Sequence, residues 1–261
     1  MKLRIQHDTV YRYETPVQGG IQYIRLRPRN TAQQKILDWT LTTPGDVSQM
    51  TDGFGNQVTV MTLDEALSEI TLTAEGTVEL TGKPLALNDS AFPPQVLLRF
   101  TRLTEPDAEL KAFAKQFSAN KRSLLRMMKQ ICDRIAFTPG ATTVTHTAAE
   151  AFQLNAGVCQ DHTHIFIACC RYIGVPVRYV SGYVHSHDDQ HIATHAWAEA
   201  FLGQNWHTFD VVNNLNVAES HIKLAVGLDY LDAAPVRGVR RGGGVEVLNT
   251  VARVSRMTDS Q

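Results

Sequence analysis

Cysteine is scarce in this chain of 261 residues: there are four, and their spacing is no disulfide framework. Cys169 and Cys170 are adjacent while Cys132 and Cys159 lie apart, so reduced thiols are the simpler reading. An apolar leader is missing too, because Met1 to Asp8 carries charges and polar groups where a signal peptide needs an unbroken apolar segment. No run approaches the roughly 18 apolar residues of a membrane helix, and even Ile165 to Cys170 is short. These absences predict a cytoplasmic protein without a membrane partner. An excess of charge is also lacking: 25 Lys and Arg face 26 Asp and Glu, a net charge of −1. No broad basic field results, which excludes nucleic acid as the natural partner and leaves small-molecule, peptide or protein substrates.

What is present suits a folded chain. An apolar fraction of 43% with 20% charged residues supports a sizeable core. The first ninety or so residues alternate with the period of a strand, Ile5, His7, Thr9, Tyr11 and Tyr13 sharing one face. Ile21 to Arg27, Ile36 to Thr42, Gln57 to Leu63 and Ile70 to Leu80 read as further strands between turn signals such as Asp52-Gly53-Phe54-Gly55-Asn56. The polar, proline-containing stretch Lys83 to Pro94 marks a boundary, giving an antiparallel β domain over 1–94 and a second domain over 95–261.

Beyond the boundary the period becomes helical. Leu110, Phe113, Ala114 and Phe117 follow Pro106, a second helix covers Ser123 to Ile135, and Thr147 with Glu150 forms a capping-box pattern. A nearly all-apolar helix starts near Cys159 and stops at Gly174 and Pro176. Val177 to Val184, Thr194 to Leu202, Asn205 to Val212 and Val245 to Val254 read as strands, so the second half is α+β.

Within this half, Gly157-Val158-Cys159 places a thiol where a turn gives way to a helix. Unpaired N–H groups and the positive dipole end of a first turn favour thiolate over thiol, and the thiolate is the nucleophile. Gly157 lets backbone approach closely, and the main-chain N–H of Cys159 is a candidate oxyanion donor. Cys169 and Cys170, inside the apolar run, read as inert core. Downstream, Gly203-Gln204 suits a two-residue II′ turn that puts Leu202 opposite Asn205 and Trp197 opposite Asp210. His195 and Asp210 are then diagonal neighbours on one face, where a carboxylate can fix the imidazole's tautomer. Cys159, His195 and Asp210 make a triad by role.

Taken together, Gly157-Val158-Cys159, the helix leading to Gly174-Val175-Pro176-Val177-Arg178-Tyr179, His195-Ala196-Trp197-Ala198-Glu199 and Trp206 to Asp210 resemble the transglutaminase-like superfamily, whose fold is related to papain-like cysteine proteases. His7-x-Thr9-x-Tyr11-x-Tyr13 and Ala225-Val226-Gly227-x-Asp229-Tyr230 extend the resemblance to a bacterial subgroup with an N-terminal β region. The resemblance implies a papain/transglutaminase-like C-terminal domain in which Cys159 attacks a carboxamide, ammonia or an amine leaves, and water or a second amine resolves the thioester. No cofactor is expected. Gly157, Gln160 and Trp197 are the substrate-contact candidates, although Trp197 and Trp206 suit a core equally well. Gln160 stands where animal transglutaminases carry tryptophan, which points away from protein cross-linking.

Two rival readings come from the same residues. His162, His164, His185, His187 and His191 invite a zinc site, against which His162 and His164 stand two apart on one helix and cannot share a face. The segment His185 to His191 reads as a solvated hairpin tip or site rim. An inactive interaction module that keeps the fold is the other alternative, against which stands the intact set of Cys, His and Asp. Arg237, Arg240 and Arg241 around Gly242-Gly243-Gly244 suit a binding loop or solvated charge. Oligomeric state is not legible.

Overall fold

The structure is a computed structural model that describes residues 1–83, 91–185, 194–217 and 219–257. The chain opens with five strands, β1 (Lys2–Ile24), β2 (Gln34–Thr42), β3 (Asp46–Thr51), β4 (Gln57–Leu63) and β5 (Leu67–Leu80). Helices α1 (Ala108–Ala114) and α2 (Lys121–Arg134), strand β6 (Ala136–Phe137), helix α3 (Ala148–Leu154), strand β7 (Ala156–Gly157) and helix α4 (Cys159–Tyr172) follow. The chain then runs through β8 (Val177–Val184), β9 (Thr194–Leu202), β10 (Asn205–Phe209), β11 (His221–Gly227), α5 (Tyr230–Ala233), β12 (Val236–Gly242) and β13 (Glu246–Arg256).

The alternation in the first residues has the expected consequence: Leu3, Ile5, His7, Thr9, Tyr11 and Tyr13 are buried while Lys2, Arg4 and Gln6 face solvent. The runs expected as two strands, 5–13 and 21–27, are one strand of 23 residues. Irregular pairing around 12–19 divides β1 into halves. The first half pairs with β5 and β13, and the second with β4 and β12, all antiparallel. The resulting antiparallel sheet holds seven strands.

Residues 236–256 therefore hydrogen-bond with the N-terminal sheet, although the sequence reading grouped them with 95–261. The physical reason is that a long central strand exposes two hydrogen-bonding edges, and β12 and β13 cover one of them. Gly242, Gly243 and Gly244 adopt φ of 81°, 97° and 61° between these two strands. The arginine-glycine segment is thus a break between two collinear strands that continue one another along β1; Arg240 lies 4.9 Å from the Tyr13 ring and pairs with Glu246 at 3.3 Å.

The C-terminal half builds a four-stranded antiparallel sheet of order β10-β9-β8-β11, against which α4 packs with α1, α2 and α3 around it. Twelve of the fourteen residues of α4 are buried: Ile165 to Cys170 form the apolar part, while Gln160, Asp161, His162, Thr163, His164 and Arg171 are buried polar or charged groups. Thr147 and Glu150 close the expected capping box on α3. Inside the sheet, Glu199 on β9 pairs with Arg178 of β8 at 2.6 Å and with Lys223 of β11 at 2.9 Å, all three being buried. One carboxylate thereby links three strands. The seven-stranded and four-stranded sheets also share a core, since Tyr183, Ile222 and Leu224 pack with Leu3, Ile5 and Leu72.

Strand β11 is the edge of its sheet, and two buried carboxamides from the N-terminal sheet complete its hydrogen bonding. Gln34 accepts from the Lys223 N–H and donates to its C=O, both at 2.8 Å. Asn56 does the same for Val226, again at 2.8 Å for each bond. Each side chain replaces one residue of a neighbouring strand. Asn56→Ala leaves a buried N–H and a buried C=O unpaired, so unfolding in urea should report a loss of roughly 2–4 kcal/mol.

Candidate active site

The approach to Cys159 is held by a short parallel ladder in which Ala136 pairs with Ala156 and Phe137 with Gly157. Val158 is extended at φ −112° and ψ −173°, and Cys159 opens α4. Asp161 folds back over this entry: one carboxylate oxygen accepts from the Val158 N–H and from the Thr142 hydroxyl, each at 2.7 Å. A Cβ on Gly157 would stand 2.6 Å from Asp161 atoms. Gly157 is thus required by the fold-back of Asp161, a cause that differs from the substrate approach expected of it. One helical turn on, the Thr163 hydroxyl donates to the Cys159 carbonyl at 2.7 Å and to the Ala196 carbonyl at 3.3 Å. That bond ties the start of α4 to β9 beside His195.

The hairpin that carries the other two groups has the expected register. Gly203 takes φ +66°, and Leu202 faces Asn205, continuing to Ala198 opposite Phe209. Asp210, one residue past β10, is fully buried, and its Oδ2 lies 2.9 Å from His195 Nε2. Cys159 and His195 line one cleft, and the thiol is among the groups that act on the imidazole. The three groups expected from sequence are therefore brought together.

Their electrostatics follow. Burial works against a charged imidazole at His195, but hydrogen bonds to Asp210 and Cys159 outweigh it and push its pKa up to about 10. Burial likewise works against the Asp210 carboxylate, and hydrogen bonds from His195 and His221 overcome it, holding the group well below the usual carboxylate range. For Cys169 and Cys170 burial pushes the thiols up, in keeping with an inert core.

Two partners of Asp210 escaped the sequence reading. His221 on β11 places Nε2 at 2.9 Å from Asp210 Oδ2, and Asn213 Nδ2 donates to the same oxygen at 2.9 Å. Trp197 holds both imidazoles: its ring stacks near His195 with centroids 6.2 Å apart and meets His221 edge-on at 4.9 Å. Trp197 is only 1% exposed. A cleft of about 850 Å³ opens at Cys159 and His195, lined further by Phe137, Asn213, Leu215 and Val217. None of the three substrate-contact candidates lines it. Trp197 is core, Gly157 lies beneath Asp161, and Gln160 is buried with its amide 3.4 Å from the Val144 carbonyl.

The histidines considered for zinc do not converge among the described residues. His162 bonds the carbonyls of Val158 and Ile135, His164 receives the Tyr230 N–H, and His185 contacts the Val254 carbonyl. His187, His191 and the expected hairpin tip lie outside the described residues. Atoms of His195, Asp210 and His221 do lie within 4.8 Å of one another. Both nitrogens, however, stand 2.9 Å from a single oxygen, the distance of N–H···O bonds. A shared zinc would instead take each atom as a ligand at about 2.0–2.2 Å.

Removal of His221 tests this hub. His221→Leu deprives a buried carboxylate of a donor and should cost about 1.5–3 kcal/mol near neutral pH, read by denaturant unfolding. A carboxyl whose folded pKa is depressed stabilises the fold above its ordinary value of 3.8 and loses that contribution as pH falls. The deficit of the variant should therefore shrink below about pH 4.

The comparisons agree with this architecture. A bacterial transglutaminase-like N-terminal region profile matches residues 3–79, and a transglutaminase-like superfamily profile matches 111–211. An uncharacterized protein of Mycobacterium leprae is 30% identical over 277 residues, covering 98% of this chain and 99% of the relative. An uncharacterized protein of Mycobacterium tuberculosis is 29% identical over 274 residues, covering 91% of this chain and 87% of the relative. The crystal structure of a proposed cysteine protease from Cytophaga hutchinsonii superposes with a TM-score of 0.82 at 23% identity, covering 100% of this chain and 92% of that one. With an N-terminal antiparallel sheet joined to helices and strands of this arrangement, the chain belongs to the transglutaminase-like superfamily.

Proposed function

We propose that the protein is a cysteine-nucleophile amide hydrolase or acyl transferase that acts on peptide or protein amides through a thioester. One observation carries the reading: a thiol in the first turn of α4 shares a cleft with an imidazole whose Nε2 sits 2.9 Å from a fully buried carboxylate. Each group has a role that its surroundings support. The Cys159 thiolate attacks the carbonyl carbon, and the first-turn N–H of Cys159 faces the developing oxyanion. His195 takes the thiol proton and returns it to the departing ammonia or amine, a transfer worth about 10²–10⁴-fold. Asp210 fixes the orientation of the ring, and it offsets the imidazolium charge. Water or a second amine then releases the acyl group and regenerates the thiol.

No cofactor is needed for these steps. Four free cysteines among the described residues suit a reducing compartment, and we place the protein in the cytoplasm on that ground. No helix among the described residues is long and apolar enough to cross a membrane.

The chemistry is read by mass spectrometry of the protein incubated with glutamine-containing peptides, with and without a primary amine. An amine adduct on the peptide identifies transfer, and deamidation or cleavage identifies hydrolysis. Cys159→Ala should lower turnover by at least about 10³-fold while the fold persists. Retention of full activity by that variant would refute the assignment of the nucleophile. The pH profile supplies a second check. With a pKa near 10, the His195 imidazolium is present below that value and lost above it, so turnover should fall on the alkaline side near pH 10.

A further inference from the structure

We infer that the reacting amide belongs to an extended peptide with large apolar side chains flanking it, a conclusion that rests on Cys159 being the nucleophile. Two exposed apolar residues border the cleft of the reacting groups, each tied by backbone pairing to a segment that carries one of them. Phe137, 59% exposed, sits on β6 directly paired with Gly157, two residues before Cys159. Leu215, 42% exposed, is bridged to Asp210 by two backbone hydrogen bonds, Asp210 N–H to Leu215 C=O at 2.8 Å and Leu215 N–H to Asp210 C=O at 3.0 Å. Val217, 48% exposed, lies beyond Leu215, and all three line the cleft that holds Cys159 and His195.

A single apolar side chain in solvent needs no explanation. Three around one nucleophile do, because exposed apolar surface is unfavourable and contiguous patches mark ligand grooves. Their positions follow from the backbone: each of the two strand-like pairings that hold the nucleophile and the carboxylate also carries an apolar wall. Phe137 and Leu215 both border the cleft through which a carbonyl would reach Sγ.

The groove is also longer than one amide. A second cavity of about 420 Å³ shares Val217 and Glu219 with the first and reaches Trp206 and His207. Together they form a track that suits several residues of extended chain. Among the described residues, Arg256 and Glu219 give the first cleft side-chain charges of opposite sign, while the Met1 ammonium and, in the second cavity, Lys83 add positive charge away from the apolar walls. Next to the reacting amide, discrimination falls to those walls.

The test compares two tripeptidyl chloromethyl ketones, one with leucine and phenylalanine side chains and one with aspartate and lysine in their places. Labelling is followed by intact mass on the full chain, and iodoacetamide serves as a probe without side chains. The apolar probe should label Cys159 at least about 10-fold faster than the charged one. In the double variant Phe137→Ser, Leu215→Ser that ratio should collapse to within about 3-fold, and Phe137→Leu should retain it. Equal labelling of the wild type by both probes, or a ratio unchanged in the double variant, would overturn the inference while leaving the nucleophile in place. If iodoacetamide alkylated no part of Cys159 in the wild type, the nucleophile assignment would fall, and this inference with it.

Discussion

A carboxylate taken out of water must be surrounded by donors or give up its charge, and the arrangement around Asp210 follows from that constraint. Asp210 is fully buried, so His195, His221 and Asn213 all converge on its Oδ2. These donors come from three places in the chain: β9, the turn after β10 and β11. The hydrogen bond that orients His195 toward the sulfur therefore depends on the sheet being assembled first. Without it, the imidazole would have neither a fixed tautomer nor an anion to balance its charge.

The sheet is held together by the same logic at a second position. Glu199 lies four residues from His195 on β9 and is as deeply buried as Asp210, with Arg178 and Lys223 supplying its partners from the neighbouring strands. Arg178 in turn lies 4.2 Å from the Trp206 ring. Removing one member of such a cluster leaves an uncompensated buried charge, so the three groups are coupled energetically. Thr163 adds a lateral tie by bonding carbonyls on both α4 and β9. The distance between sulfur and imidazole is thus set by contacts that lie outside the reacting atoms.

How much of this was legible in the sequence depends on whether the cause was local. The II′ turn at Gly203-Gln204, the capping box at Thr147 and Glu150, and the start of a helix at Cys159 rest on chemistry within a few residues. They were read correctly for that reason. His221 left no such signal. It opens an edge strand whose pairing with β8 is broken by an irregularity between Lys223 and Ala225, and its meeting with Asp210 is a product of topology. Trp197 was ambiguous because five successive residues of β9 are buried, and a strand covered on both faces has no alternation to show which side faces a cleft. Phe137 sits on a strand of two residues, too short to carry a period at all. The return of β12 and β13 to β1 is a pairing between opposite ends of the chain, which local pattern does not encode.

That return has a consequence for the site. The N-terminal sheet is attached to the chemistry through β11: Gln34 and Asn56 hold its backbone at Lys223 and Val226, and the same strand begins with His221. The cleft itself is partly walled by Met1 and Arg256, from the first and last strands' ends of that sheet. A displacement of the N-terminal sheet would carry β11 with it, and His221 would leave the Asp210 oxygen. The carboxylate would then lose a donor in a dry setting, and its hold on His195 would change in turn. The two halves of the molecule are therefore one mechanical unit at this point, joined by hydrogen bonds from carboxamide to strand, strand to imidazole and imidazole to carboxylate.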